Sequence, residues 1–287
     1  MASRFWVGGT GTWAASGSST GNHWATSTGG AGADANAPVT GDSVTFDGSS
    51  GGGTVTVDST VNGLSLLSIT AGAFTGTLDF SVNNPSMTIT AAAAATGISF
   101  SGSGVGRIFK LGSGTFTFAN GAGYDFGTTT GAGTQSLASC TLVFNAGSSP
   151  ALVGQQQVLL GGFAYGTITF NGRGSGQGVN FSGSVNGWTA TTLNLNGPLF
   201  VGLGTPNGTI TNLNISGSVS QTVTMYITPQ NTQITLTVTT ATISYAALRN
   251  INFTNAATAT NSWDLGANTN LTATPPSAGG GSGVIGS

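Results

Sequence analysis

Charged side chains are almost absent from this 287-residue chain. Lys, Arg, Asp and Glu together make up 4% of it, against about 25% in an average soluble domain. The acids are all Asp, so glutamate is missing, and the net charge is −2. This excludes the basic field that a nucleic-acid-binding surface needs and the polybasic segment of a lipid-binding surface. We expect a surface hydrated by hydroxyls, amides and backbone.

Cysteine and histidine each occur once, as Cys140 and His23. A lone cysteine excludes an intramolecular disulfide, and we expect Cys140 to be a small buried hydrophobe. A Ser-His-Asp or Cys-His triad would have to use His23, and a histidine-based metal site would lack its second imidazole. We therefore predict that His23 lies in a turn and that the chain has no catalytic residues, no metal site and no cofactor.

Long apolar runs are missing as well. The N-terminus, MASRFWVGG, lacks an apolar run of signal-peptide length, and no segment approaches the ~20 apolar residues of a membrane helix. Hydrophobic residues nevertheless make up 38% of the chain, which is unlike a disordered sequence and suffices for a sizeable core. We expect neither Sec export nor a membrane anchor.

Short runs that alternate apolar and small polar residues dominate the rest. SVTFD at 43–47, TVTV at 54–57 and TFTFA at 115–119 are typical, and Gly, Asn or Ser bounds nearly every run. This is the period-2 pattern of half-buried strands separated by tight turns. Only AAAAAT at 91–96 favours a turn of helix. The sequence therefore predicts an all-β protein.

Two architectures accommodate many short strands: a parallel β-helix or solenoid, and a β-sandwich or jelly roll. We favour the β-helix, because stacked Thr, Ser and Asn avoid the repulsion that stacked charges would create. We expect a Trp-rich cap and loop at 1–40, a β-helix-like body at 41–273 and a flexible Gly/Ser/Pro tail at 274–287. The T-x-T pairs are irregularly spaced, which argues against the flat lattice of an ice-binding face.

Three of the five tryptophans lie in the stretch FWVGGTGTWAASGSSTGNHW at 5–24. The open end of a solenoid must be capped, and we predict that these rings lie across it, with each indole N–H meeting a carbonyl or water. The alternative is that they are ordinary core aromatics of a sandwich.

The opening pattern, W-V-G-G-T-G-T-W, N-H-W, P-V-T-G-D-S-V-T-F and G-G-G-T-V-T-V, resembles the start of Gly/Thr-rich bacteriophage virion proteins with a β-helix-like fold. It is also similar to the repeats of autotransporter passengers. The resemblance covers about the first 60 residues. Autotransporters carry a long signal peptide and a C-terminal membrane barrel, neither of which this sequence shows, so the phage family fits better. The matching residues are Trp6, Gly8, Gly9, Gly11, Trp13, Asn22, Trp24, Pro38, Gly41, Asp42, Val44, Phe46, Val55 and Val57.

The resemblance implies a non-enzymatic structural protein of a bacteriophage virion: a capsid decoration or cement protein, or a head or tail fibre component. Its partners would be major capsid or tail proteins and further copies of itself, with a trimer as one option, and neither nucleic acid nor membrane. It would be assembled in the host cytoplasm and located in the virion. The alternatives are a secreted or surface adhesin or passenger domain, and a glycan-binding or glycan-cleaving tail spike.

A carboxylate pair would be needed for glycan cleavage. Asp42, Asp47, Asp58 and Asp79 lie in or beside strand runs, and stacking would bring two of them together. Asp42 in TGDS and Asp58 in VDST are, however, typical of turns in which the carboxylate accepts from following amides. The scarcity of bases also argues against a lyase cleft, and we expect no enzymatic activity.

The remaining candidates are one basic spot and a few aromatics. Arg107 and Lys110, in RIFK, are expected to be solvated surface charges, with an ion pair to a partner as the alternative. Aromatic residues that suit glycan contact are Tyr124, Tyr165, Trp188 and Tyr226.

Overall fold

The computed structural model describes residues 1–14, 23–32, 36–91, 95–100, 106–126, 135–145, 156–172, 178–182, 187–203, 207–227 and 233–277. Within these ranges the chain forms strands, turns and two short 3-10 helices, Gly48–Ser50 and Ser59–Val61, but no α-helix. The all-β prediction is confirmed. Residues 92–94 of the expected helical turn lie outside the described ranges, and its last residue, Thr96, belongs to a strand.

The strands in chain order are β1 Ser3–Trp6, β2 Gly11–Trp13, β3 Trp24–Ala25, β4 Ser43–Thr45, β5 Thr54–Val57, β6 Ser65–Leu66, β7 Ser68–Thr70, β8 Thr77–Asp79, β9 Met87–Ile89, β10 Thr96–Ser99, β11 Ile108–Lys110, β12 Thr115–Phe118, β13 Gly123–Asp125, β14 Thr141–Asn145, β15 Gln156–Leu159, β16 Ala164–Asn171, β17 Gly178–Ser182, β18 Trp188–Asn196, β19 Leu199–Leu203, β20 Gly208–Ser216, β21 Val223–Ile227, β22 Ile234–Ser244, β23 Ala246–Leu248, β24 Ile251–Thr260, β25 Trp263–Asp264 and β26 Thr269–Ala273.

These strands form three sheets. The twelve-stranded sheet has the order β25-β23-β21-β19-β17-β15-β13-β10-β7-β4-β1-β3, the four-stranded sheet β11-β8-β5-β2, and the ten-stranded sheet β26-β24-β22-β20-β18-β16-β14-β12-β9-β6. From β4 to β12 the chain visits the twelve-, four- and ten-stranded sheets in strict rotation, and from β13 it alternates between the two large ones. From β4 onward, neighbours within each large sheet are therefore successive visits of the chain.

Strand pairing is parallel throughout the three sheets except between β1 and β3. Sandwiches and jelly rolls are built from antiparallel sheets. The sheets of this protein are parallel instead, so they do not fit those two architectures. Parallel pairing in register places like side chains above one another. In the ten-stranded sheet, Phe118, Phe144 and Phe170 are register partners whose stacked ring centroids lie 4.5 and 4.9 Å apart.

The core is one continuous cluster of buried side chains between the sheets. β12, TFTF, contributes alternate residues to it: Phe116 and Phe118 are buried while Thr115 and Thr117 face outward. This is the pattern that the sequence predicted for half-buried strands.

The long strands of the ten-stranded sheet change their inward side halfway along. In β18, Trp188 and Ala190 are buried, Thr191 and Thr192 both face outward, and burial resumes at Leu193. β20 shows the same change, with two consecutive outward residues between its buried ones. Because two consecutive residues face outward, the buried residues are even-numbered before this change and odd-numbered after it. The four-stranded sheet is confined to the first half of the chain, because its last strand is β11.

The two domain boundaries that the sequence predicted, at 40 and 274, differ in whether the sheets continue across them. β1 and β2 pair in parallel with β4 and β5, so the first residues are continuous with the sheets that follow. Residues 274–277 form no strand, and 278–287 lie outside the described residues.

Candidate functional site

The tryptophan cluster consists of Trp6, Trp13, Trp24 and the neighbouring His23. Its indoles come from β1, β2 and β3, which are end strands or next to end strands of the twelve- and four-stranded sheets. All three indoles are almost fully buried, and His23 is only half-buried. The cluster therefore lies at the N-terminal end of these two sheets.

The rings of the cluster meet mostly edge to face. Trp24 packs in T-shaped contacts against Trp6 and Trp13, at centroid distances of 5.1 and 5.5 Å. The ring of Phe46, which directly follows β4, lies 6.0–6.1 Å from all three indoles. Such pairs add about 0.5–1.5 kcal/mol each beyond the burial of area. The cluster thus joins the end strands to the core behind them.

The indole N–H groups of Trp6 and Trp13 differ in their hydrogen bonding. Nε1 of Trp6 donates to the carbonyl of Gly9 at 3.0 Å, as predicted. Nε1 of Trp13 is buried without an acceptor among the described residues. An unpaired buried donor costs free energy, so Trp13 is held by packing of its ring.

His23 closes the cluster on its outer side. Its ring stacks on Trp6, and Nδ1 lies 2.8 Å from the carbonyl oxygen of Val7. The backbone N–H of Val7 donates in turn to the carbonyl of His23 at 2.7 Å. Nδ1 therefore carries the proton that is donated to Val7, which fixes the imidazole in place.

Glycines between the first two tryptophans make room for this arrangement. Gly8 and Gly9 have φ values of +93° and +80°, which side chains disfavour. A Cβ at Gly11 would lie 2.6 Å from two His23 ring atoms and 2.9 Å from Trp6. The spacing W-x-G-G-x-G-x-W therefore has a steric cause.

Asp42 anchors the N-terminal segment to the body. It accepts from the N–H of Ala2 at 2.7 Å and pairs with Nε of Arg4 at 3.1 Å. Burial alone raises the pKa of Asp42, but the amides of Ala2 and Val39 and the Arg4 guanidinium outweigh it, so the pKa lies below its ordinary value. Instead of the following amides that the sequence predicted, the Asp42 carboxylate thus bonds residues that precede it, Ala2, Arg4 and Val39.

Three further aspartates hold turns. Asp47 and Asp58 cap the two 3-10 helices, accepting from the amides of Ser49 and Thr60 at 2.8 Å. Asp264 accepts from the N–H of Gly266 at 2.8 Å. The prediction for Asp58 is confirmed, and each carboxylate has a local structural partner.

Arg107 and Lys110, which form the predicted basic spot, lie on opposite sides of the sheet. Arg107 is fully buried and donates to the carbonyl of Gly72 at 2.7 Å, and burial lowers its pKa. The expectation of a solvated charge is wrong for Arg107. Its neighbour Lys110 lies on the outer side and pairs with Asp79 at 3.2 Å. Burial raises the pKa of Asp79, but bonds from Ser81 and Lys110 bring it below the ordinary value.

The outer face of the ten-stranded sheet is an array of hydroxyl and amide side chains. Thr115, Thr141, Thr167 and Thr192 are register partners on successive strands, so the irregular T-x-T spacing does not prevent ordered columns.

A second outward column consists of asparagines bonded to one another. Nδ2 of Asn171 donates to Oδ1 of Asn145 at 2.9 Å, and Nδ2 of Asn196 donates to Oδ1 of Asn171 at 2.8 Å. In the adjacent column Nδ2 of Asn214 donates to Oδ1 of Asn194 at 2.9 Å. Asn171 and Asn194 each act as donor and acceptor along the sheet, since Nδ2 of Asn194 donates to Oγ1 of Thr169 at 3.0 Å, and these bonds fix the register without any charge.

Other candidate residues are buried. Tyr124, Tyr165 and Trp188 are at most 2% exposed, so the suggestion that they contact glycans is wrong; Tyr226 alone of that set is half-exposed. Cys140 is buried as predicted, and burial raises the pKa of its thiol to about 12. Among the described residues, no group of three or more His, Cys, Asp or Glu is arranged to hold a metal ion.

No helix with the length and apolar character of a membrane span occurs in the described part of the chain. No family model, curated protein or solved structure matches the chain.

Proposed function

We propose that the chain is a parallel β-helix that serves as a non-enzymatic structural component of a bacteriophage virion. Its role is that of a capsid decoration or cement protein, or of a head or tail fibre component. It is assembled in the host cytoplasm and binds major capsid or tail proteins.

The β-helix is supported by the order of the strands. Each circuit of the chain adds one strand to each sheet that it visits, in parallel and in register with the strand before. Successive circuits therefore bury a common core, and the stack grows in one direction. The tryptophan cluster acts as the lid of its N-terminal end, where three buried indoles cover the first core layer.

The observation that carries the structural role is the neutral outer face of the ten-stranded sheet. Its outward columns are Thr, Asn and Ser, and the asparagines satisfy one another along the stack. When such a face meets another protein, little ion desolvation is required. A rigid rod with neutral sides suits repeated lateral contact on a particle.

The positions of the aspartates support the same role. Asp42 and Asp79 pair with basic residues of this chain, and Asp47, Asp58 and Asp264 bond turn amides. These carboxylates stabilise the fold locally, which is a different use from an acid–base pair.

The test is co-sedimentation with particles. Lysate of the host that encodes the chain is fractionated on a density gradient, and peptides of the chain are quantified by mass spectrometry in each fraction. The proposal predicts a constant ratio to the major capsid protein across the particle peak, including after a high-salt wash. Peptides confined to the soluble fractions would contradict it.

A further inference from the structure

Three T-x-T sequences of the ten-stranded sheet come into register. They are TAT at 189–191 in β18, TIT at 209–211 in β20 and TVT at 237–239 in β22. The first threonines form one column, because Thr189 pairs with Thr209 and Thr209 pairs with Thr237. Pairing is in register on both sides of the second threonines as well, so these form a parallel column two residues further along. Connections of unequal length separate the three sequences along the chain, yet the sheet aligns them.

The side chains of these threonines all face solvent. The residue between the two threonines of each strand is buried: Ala190 in β18, Ile210 in β20 and Val238 in β22. No ionisable side chain occurs in the three strands. Each strand is therefore held by an inward apolar residue and presents two neutral hydroxyls outward. The threonine array consists of the six exposed residues Thr189, Thr191, Thr209, Thr211, Thr237 and Thr239.

The array repeats in two directions. Paired strands lie about 4.8 Å apart, and residues i and i+2 of one strand lie about 6.6 Å apart. Threonine is branched at Cβ and has a stiff χ1, so its hydroxyl and methyl groups keep their positions at a small cost in side-chain entropy. Each hydroxyl both donates and accepts hydrogen bonds. The array is thus a repeated set of neutral hydrogen-bonding groups with methyl groups between them.

Small residues border the array on both sides. On β16, Ala164 is the register partner of Thr189, and Gly166 lies opposite the second column. On β24, Thr254 follows Phe253, which is the register partner of Leu236. These short neighbours leave the threonine side chains accessible to a partner that is itself extended.

The chemistry of the array restricts the kind of partner. Protein interface cores are enriched in aromatic residues, Met and Arg, and the array contains none of these. A charged ligand would find no opposite charge in the three strands. Water molecules on a face of ice are neutral, donate and accept hydrogen bonds, and repeat in two directions on the same scale as the threonines. Ice is therefore the partner that the array fits best.

We propose that the threonine array binds ice. Its hydroxyls take the places of water oxygens in the outermost layer of the crystal, and the methyl groups lie between them. This activity goes beyond the structural role in a virion and does not depend on it. Ice binding is measured on the purified chain and association with particles is measured in a lysate, so the failure of one does not imply the failure of the other.

Partition into slowly growing ice tests the proposal. A dilute solution of the full chain is frozen slowly, and its concentration in the ice is compared with that in the remaining liquid, with serum albumin as the excluded standard. The wild type is expected to be retained in the ice. Thr209→Tyr places a bulky ring in the middle strand of the array and should reduce retention at least tenfold with an unchanged circular dichroism spectrum. Thr209→Val, which keeps the shape of the side chain, should reduce it less.

Thr70→Tyr is the matched control. Thr70 is an exposed strand threonine of β7, in the twelve-stranded sheet, so this variant should partition as the wild type does. A wild type that is excluded from ice as fully as serum albumin overturns the proposal, as does equal retention of Thr209→Tyr and the wild type. An equal loss in Thr209→Tyr and Thr70→Tyr would also overturn it, because the effect would then not belong to the array.

Discussion

The imidazole of His23 lies flat on the indole of Trp6, with ring centroids 4.6 Å apart and ring planes 19° apart. Trp6 is fully buried and His23 is half-buried, so the imidazole shields the indole from solvent. The only histidine of the chain thus has a packing role, and the surrounding glycines leave the space for it.

Removal of the Trp13 ring tests the lid. Trp13 is fully buried and contacts Trp24, Phe46 and Phe80. Trp13→Ala should lower the free energy of unfolding by about 3–5 kcal/mol and promote aggregation through the opened end. Urea denaturation and light scattering measure both effects. Trp13→Phe, which keeps a ring, should lose much less, and a soluble Trp13→Ala variant of wild-type stability would count against the lid.

The contact between Gly11 and His23 can be measured by a double-mutant cycle. Gly11→Ala places a methyl group 2.6 Å from the imidazole and should cost about 1–3 kcal/mol. In a His23→Ala background the same change should cost about 1 kcal/mol less, because only the conflict with Trp6 remains. Strictly additive free energies of unfolding would show that the two residues do not interact.

The asparagine column predicts a pH-dependent variant. In Asn171→Asp the ionised carboxylate still accepts from Asn196 but no longer donates to Asn145, and the variant should lose about 1–3 kcal/mol at neutral pH. The pKa of the new carboxyl should be raised, so stability should recover as the pH falls through it, when the protonated group donates again. Thr189→Asp, at an exposed position of β18, is the control and should show no such recovery.

The ion pair of Asp42 and Arg4 predicts acid sensitivity at the N-terminal end. The pKa of Asp42 is lowered in the folded state, so its contribution is fully present above the ordinary Asp pKa of about 4 and is lost as the pH falls further, through the folded value. Thermal unfolding between pH 7 and pH 2 should show this loss. Asp42→Asn should be less stable at pH 7 and should depend less on pH, whereas equal pH slopes for the two proteins would refute the assignment.

The single thiol serves as a probe of opening. Cys140 is buried with a pKa of about 12, so the native protein should react with a thiol reagent only when the structure opens. Labelling at neutral pH should therefore be slow and should accelerate in Trp13→Ala. Rapid labelling of the folded wild type would contradict the burial of this side chain.

The sequence predicted the elements better than their arrangement. Alternation in TFTF predicts that Phe116 and Phe118 share one side, because a strand has a period of two whatever its partners are. The same rule places Arg107 on the buried side with Phe109 in RIFK, and this was the available signal for its burial. The register between neighbouring parallel strands was harder to predict, because turns of different length separate the residues that pair. Bonded asparagines are 26, 25 and 20 positions apart.

The candidate sites were partly predictable for the same reason. The cap role of Asp58 depends on residues directly after it and could be read locally. The stacking of His23 on Trp6 joins residues on either side of a long connection. Apolar runs such as PLFVGL at 198–203 do not tell which side faces out, so Phe200 could not be recognised as exposed.

Immunogold electron microscopy of purified particles tests the central proposal most directly. Antibodies raised against the purified chain are applied to virions from the host that encodes it, with particles that lack the chain as the control. The account predicts gold at regular positions on the head surface or along the tail of intact particles. Particles that remain unlabelled, while the same antibody detects the chain in the soluble lysate, would contradict it.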